Sequence, residues 1–416
     1  MLRSSRRRFI AGLGVASIAG LAPGIGGGGG SGGAHAAEAA SGRAGAEYLL
    51  EPGLIHLNTG TFGATSLAVL TRVREAAEQF ESNPVIQGYR EVGDTLLAQA
   101  ERERARCAAF LGCTPDEMLI THGTADALGQ AAGSIAFGPG DRILTSGAEH
   151  DSGVCCWRWL TRRRGGHLDV VPIAPEEYDS EAIVARFAAA IRPQTRVICV
   201  SDVIAWTGLR MPIRQLAELA HAHGALMIVD GAQSVGNMPI DVVAMGVDAY
   251  AASGHKWLCG PKGTGFLYVI SDPAARIFPV AWEDRRRLNS EAMGGCPLPL
   301  VMGLGLAVER AQQTTLAAIE AHNLPLRNRL WEELPKIPGI RVVGPPPGPL
   351  ATALIGFRLP DGADASKVRA ALLAKHHINI RQVDKKQYNG LRASLHLYND
   401  ARHVDTLLGA LRIELG

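Results

Sequence analysis

Four chemistry-bearing positions recur where strand-like runs end. In "SGHKWLCGPKGTGFLYV" (residues 253–269), Lys256 follows Ser253, Gly254 and His255 and precedes a glycine- and proline-rich loop. An amine held partly out of water loses its proton more readily and becomes a nucleophile toward carbonyls. In "IVDGAQ" the apolar run closes on Asp230, with Gln233 three residues on. A carboxylate there is costly unless a partner, such as an arginine or a protonated ring nitrogen, offsets it. In "ITHGTADAL" a strand turns at Gly123-Thr124 into a helix, whose free N–H groups and the Thr124 hydroxyl favour an anion. In "AEHDSG" a strand closes on His150, an aromatic ring able to lie over another flat ring.

Alone, each has an ordinary reading: an N-capped turn, a surface histidine, an arginine-paired carboxylate, a surface lysine beside a Gly/Pro turn. Together they supply a phosphate cradle, a stacking ring, a carboxylate for a pyridinium and an amine for an aldehyde. Those are the demands of pyridoxal 5'-phosphate.

The elements that must position them alternate along the chain. Amphipathic helices are expected from Ser66 to Phe80 and up to Gly112. "DEMLITHGT", "RILTSGAEH", "HLDVVPI", "TRVICVSDV", "ALMIVDGAQ", "DAYAASGHKW" and "GTGFLYVI" read as strands with helices between them. That order predicts an α/β fold with a mostly parallel sheet covered on both faces, whose ligand site lies beyond the carboxyl ends of the strands. A long helix is expected from Leu300 to about Glu332, broken at Pro325, followed by a smaller α+β region containing "ALIGFRL" and "LRASLHLY". The division predicted is 1–36 for an export segment and glycine-rich linker, 37–305 for a large cofactor-binding domain, and 306–416 for a small C-terminal domain.

The start reads as an address. "SRRRFIA" (Ser5–Ala11), a glycine-diluted apolar stretch and "AHA" (Ala34–Ala36) form a twin-arginine signal with a cleavage site. This predicts export to the periplasm by the twin-arginine machinery, with no membrane attachment after processing. Of the net charge of +2, four arginines and no acid fall in residues 1–36, leaving −2 on the rest. That balance offers no basic field for nucleic acid. The seven cysteines are scattered, without metal-type spacing.

On "SGHKW…GPKGTGFLYV", "VDGAQ", "THGT", "AEHD", "LNTGTFGATS" and "LRASLHLYND", the chain resembles the class V aminotransferase family, fold-type I pyridoxal phosphate enzymes that include cysteine desulfurases and isopenicillin N epimerase. The resemblance spans residues 55 to 400. It implies that Lys256 condenses with the cofactor aldehyde and that Asp230 pairs with the pyridine nitrogen. Gln233 would meet the ring 3′-oxygen, His150 would stack, and Gly123, Thr124, Ser253 and His255 would bind phosphate. Arg392 would receive the substrate α-carboxylate, with Asn58 and Thr59 beside it. A homodimer is also implied, as is a seven-stranded-type sheet.

Three departures qualify the resemblance. Asp202 stands where relatives often carry Asn or a His-like group. Gly295 stands where many have a threonine reaching the other subunit. Residues 376–390 lack the mobile cysteine of desulfurases. The expected activity is therefore isopenicillin N epimerase-like chemistry at Cα of an amino acid or small peptide. The alternatives are a C–S lyase or desulfurase-like reaction, transamination, or a non-catalytic binding protein that kept the fold. For the second acid that epimerisation needs, His396, Tyr388 and His377 are candidates by proximity to Arg392.

Overall fold

A computed structural model describes residues 47–89, 93–272, 277–279, 288–289 and 294–416. The arginine pair and cleavage motif of residues 1–36, Arg90, and Glu291 to Met293 lie outside them.

The central sheet contains seven strands: β1 (Met118–Thr121), β2 (Arg142–Ser146), β3 (His167–Val171), β4 (Thr195–Ser201), β5 (Leu226–Asp230), β6 (Ala249–Ser253) and β7 (Gly265–Val269). Their spatial order is β1-β7-β6-β5-β4-β2-β3. Pairing is parallel from β6 across to β3; β7 runs antiparallel to both of its neighbours. The inner strands β4 to β7 are buried on both faces, whereas the edge strand β3 carries His167 and Asp169 and is largely open to solvent. Leu144, Ile198, Val200, Met227 and Val229 join one core cluster, while Ile143, Val197, Leu226 and Ile228 join the cluster on the opposite face. This alternation is the period-2 geometry of a strand.

Local chemistry explains the helix ends. Ser66 caps α1 (Leu67–Ser82) by accepting from Val69 N, and Thr95 caps α2 (Leu96–Leu111) by accepting from Ala98 N. Gly112 closes α2 in the left-handed conformation, φ 81°. On the sheet lie α3 (Thr124–Gly133), α4 (Asp151–Arg164), α5 (Ser180–Ala190) and α6 (Ile213–Ala222).

The long helix expected after residue 300 is two helices, α7 (Leu298–Thr314) and α8 (Leu316–Glu333), with Pro325 inside the second. The break falls instead at Thr315, whose backbone takes φ 66° and whose side chain caps α8 at Ala318 N, 3.1 Å. α7 packs on α1 and α2 and runs through residue 305, the expected division.

A second, four-stranded antiparallel sheet follows, made of β8 (Arg341–Val343), β9 (Leu354–Arg358), β10 (Arg381–Gln382) and β11 (Gly390–Ser394) in the order β10-β11-β9-β8. With α9 (Ala365–His376) and α10 (Ala401–Leu415) it encloses its own core, including Phe357, Leu391, Ala393 and Leu407. The N-terminal pair Ile55–His56 joins this region by parallel pairing with Ile378–Asn379. Alternation along β11 puts Leu391 and Ala393 in that core and turns Arg392 to the opposite face.

Candidate active site

A cavity of about 510 Å³ opens beyond the carboxyl ends of the central strands. It is lined by Gly123, Thr124, His150, Asp230, Gln233, Ser253, His255, Lys256 and Arg392, all singled out from the sequence, and by Thr61, Phe62, Trp206 and Arg381 among others.

At one end, β1 runs through Gly123 into the first turn of α3. Gly123 has φ 149° and ψ 179°, a conformation open in practice only to glycine. A Cβ there would also come within 3.3 Å of His255 Cε1 and Ser253 Oγ. The Thr124 N–H donates to Ser253 Oγ at 3.0 Å, and the two hydroxyls are 2.8 Å apart. The buried Nδ1 of His255 has no hydrogen-bond partner among the described residues. Burial, then Lys256, lowers the His255 pKa to about 4, so the ring is neutral. Hydroxyls, a helix N-terminus and an orphaned ring nitrogen make a donor set suited to a phosphate.

The middle of the cavity is governed by Asp230, 5% exposed at the tip of β5. Its Oδ1 accepts from Ala232 N at 2.9 Å. Burial raises its pKa, and the nearby Lys256 opposes that shift. Gly153 in α4 is required beside it, because a Cβ would lie 2.6 Å from Asp230 Oδ2.

His150 caps α4, its Nδ1 accepting from Ser152 N at 3.2 Å. Burial, followed by Lys256 and two arginines, lowers its pKa to about 4. Its ring stacks on Trp206, centroids 5.4 Å apart and planes 22° from parallel. Gln233 is anchored at both ends of its amide: Trp257 Nε1 donates to its Oε1 at 2.8 Å, and its Nε2 donates to Gly60 O at 2.9 Å, leaving one amide hydrogen.

Lys256 follows β6. Burial lowers its pKa to about 8; Arg392 and Arg381 push the same way and Asp230 opposes. Facing it across the cavity, Arg392 is 2% exposed. Its Nη1 donates to Ala205 O at 3.0 Å, and its Nη2 donates to Asn58 Oδ1 at 3.2 Å and Thr61 Oγ1 at 3.3 Å; its Nε has no partner among the described residues. Among the described residues no carboxylate pairs with it. A buried guanidinium held only by neutral groups is expensive, of order several kcal/mol, and calls for an anion.

Several sequence expectations are redirected. Asn58 and Thr59 do not line this cavity: Asn58 stands behind Arg392, and the Thr59 hydroxyl is bonded to that of Tyr398. None of the three proposed second acids lines it either. His396 Nε2 is bonded to Trp257 O at 2.7 Å while its Nδ1 accepts from Leu397 N, and burial lowers its pKa to about 4. Tyr388 donates to Trp206 O at 2.6 Å, and His377 is an exposed left-handed cap of α9. Proximity along the chain to Arg392 misled here, because Tyr388, His396 and His377 all lie outside β11, and backbone carbonyls claim Tyr388 and His396.

Asp202 accepts from the Tyr250 hydroxyl at 2.7 Å and lies off the cavity. Gly295 is exposed, with open space where a Cβ would stand. All seven cysteines are free thiols, and none lines the cavity.

Sequence reasoning missed Glu149. It is buried, with Oε1 accepting from Ser146 Oγ at 2.5 Å and Oε2 accepting from Ser201 N at 2.9 Å and Oγ at 2.5 Å. It ties β2 to β4 beside Asp230, and burial raises its pKa to about 7. A carboxylate next to His150 in a strand-end turn was its only signal. Thr61 and Arg381 carried none.

The donor set fits pyridoxal phosphate. There is an orphaned nitrogen and paired hydroxyls at a helix start, a buried carboxylate with one oxygen engaged, an amine of lowered pKa, and a close approach at Gly123 that a Cβ would obstruct.

The family profile Aminotransferase class-V matches residues 61–407. An isopenicillin N epimerase of Amycolatopsis lactamdurans is 30% identical over 396 residues, covering 87% of this chain and 96% of the relative. A cysteine desulfurase of Dickeya dadantii is 29% identical over 382 residues, covering 86% and 91%. Among solved structures, the apo cysteine desulfurase of Thermococcus onnurineus NA1 superposes with a TM-score of 0.79 at 24% identity, covering 90% of this chain and 98% of that one. That last likeness speaks for the fold.

Proposed function

This chain belongs to the aminotransferase class-V family and is a pyridoxal phosphate enzyme, and from that premise we propose that it acts at Cα of an amino acid or a small amino-acid-containing peptide in an isopenicillin N epimerase-like reaction. The observation that carries the reading is Arg392, a buried guanidinium without an anion, on the same cavity as Lys256 and Asp230. The 30% identical epimerase supports the choice of reaction. The lack of a cavity-lining cysteine supports it over persulfide transfer.

When bound, pyridoxal phosphate supplies the electron sink that makes a Cα–H bond acidic. Gly123, Thr124, Ser253 and His255 hold its phosphate end. Asp230 keeps a fixed negative charge against the ring nitrogen and favours its protonated form. His150, backed by Trp206, would cover the ring, and Gln233 keeps one amide hydrogen that would serve the ring oxygen. Arg392 grips the α-carboxylate through a planar fork, which turns the substrate's Cα–H toward Lys256. The Lys256 amine, with its lowered pKa, takes that proton on one face of Cα, and inversion requires a second acid to supply a proton on the other face.

Where the proton returns separates the outcomes. Return to the opposite face of Cα inverts it; delivery to the cofactor gives a keto acid; departure of a β-substituent gives elimination. Incubating the holoenzyme with D- and L-amino acids in deuterated water tests this. Deuterium at an inverted Cα is expected. Keto acid with ammonia would indicate a lyase, and keto acid with pyridoxamine phosphate a transaminase. No exchange with any amino acid would favour a binding protein.

The proposal extends to a periplasmic homodimer exported by the twin-arginine machinery. Its support is "SRRRFIA" and the exposed apolar side chains Val85 and Tyr89. Fractionation of cells carrying an Arg6→Lys, Arg7→Lys variant, and sedimentation of the processed protein, test the two parts.

A further inference from the structure

Arg392 is not the only cation on the substrate side. Arg381, on β10, is its direct antiparallel neighbour across the strand pair β10–β11. Like charges placed directly opposite repel. Yet Arg381 lines the same cavity and has no ion-pair partner among the described residues. The two acids on the cavity wall are otherwise occupied. Asp126 is bonded to the His122 ring and backbone N–H, and Asp230 faces Lys256.

Arg381 also forms the shared wall with a second cavity of about 490 Å³, lined by Asn58, Arg369, Lys385 and others. There, Arg369 likewise has no ion-pair partner among the described residues. The one acid on that wall, Asp384, accepts from Lys386 N at 3.1 Å. The substrate end therefore opens from one buried guanidinium onto a further, exposed one, and then into a groove with two more cations.

One α-carboxylate neutralises Arg392 and leaves Arg381 unanswered. We infer that the substrate carries a second carboxylate, on its side chain or at a peptide terminus, which Arg381 receives at the mouth of the Arg369–Lys385 groove. This rests on the reading of Arg392 as the α-carboxylate site. It narrows the substrate class to acidic amines, and it gives Arg381 a specificity role beyond its electrostatic effect on Lys256.

Binding of unreactive probes to the holoenzyme tests it without turnover. Dicarboxylates of four to seven carbons, each against its own monoamide, and butyrate as the single-carboxylate reference, are titrated by calorimetry at fixed ionic strength. The expected result is at least ~10-fold tighter binding of one or more dicarboxylates than of the matching monoamide, as for a hydrogen-bonded charge pair. Arg381→Gln should abolish that ratio and leave butyrate within about 2-fold.

The inference is overturned if dicarboxylate and monoamide bind equally at every length, or if no dicarboxylate binds measurably. It is also overturned if Arg381→Gln weakens all probes by the same factor, since Arg381 would then serve the first carboxylate or the general field. Failure of the function reading looks different: no amino acid exchanges its Cα proton in deuterated water, whatever the probes show.

Discussion

The two ends of the cavity are built differently. The cofactor end is made by one sheet: Gly123, Asp230 and Ser253 all sit where central strands stop, brought together by the parallel pairing of β5 with β6 and by β7, which runs antiparallel between β6 and β1. The substrate end is assembled from distant parts of the chain. The Arg392–Asn58 bond joins residues 334 apart, and Trp206 arrives on a loop after β4. A sheet can hold a reusable chemistry rigidly while loops and a second sheet vary what is presented to it. The ends are joined electrically at Lys256, whose pKa answers to Asp230 on one side and to Arg392 and Arg381 on the other.

Substitutions should separate the two ends. Lys256→Ala is expected to lower kcat by ~10³-fold or more, since it removes the amine that moves the proton, and to abolish the visible absorbance of the holoenzyme. Asp230→Asn keeps the shape and removes the charge; kcat should fall by ~10²-fold or more with KM little changed. Arg392→Gln should raise KM by roughly 10- to 100-fold, the worth of hydrogen bonds to a charged group, while the cofactor band stays intact. A loss of that band in Arg392→Gln would erase the division between the ends.

The smallest effect is on pH. The apoenzyme should take up pyridoxal phosphate about 10-fold faster at pH 9 than at pH 7, levelling above a midpoint near 8, because only the neutral Lys256 amine attacks. Removing the Arg392 cation should move that midpoint up, and Asp230→Asn should move it down. A midpoint near the ordinary lysine value in the wild type would show that burial does not act on this amine.

The contrast also explains what could be read from the sequence. Residues at strand ends were legible because an apolar run that stops on a charge is unusual over a few positions, as at Asp230. The start of α1 at Ser66 and the end of α2 at Gly112 were legible for the same local reason. Contacts spanning the chain left no local trace. Asn58 was placed on the correct side of the cavity but reaches the substrate region only through Arg392. Thr59 was assigned to the pocket, yet a Tyr398 hydroxyl 339 residues away claims it. The helix break was assigned to Pro325 because proline is a strong local signal, whereas the turn occurs at Thr315, where a non-glycine residue adopts positive φ. The pair Ile55–His56 with Ile378–Asn379 is too short for periodicity to disclose.

The central claim is that one amine, Lys256, carries the cofactor next to Asp230. Borohydride reduction of freshly purified holoenzyme, followed by peptide mass mapping, tests it directly. The account predicts a reduced phosphopyridoxyl group on Lys256 alone, absent from Lys256→Ala. A modified Lys262 or any other lysine, with Lys256 untouched, would contradict it.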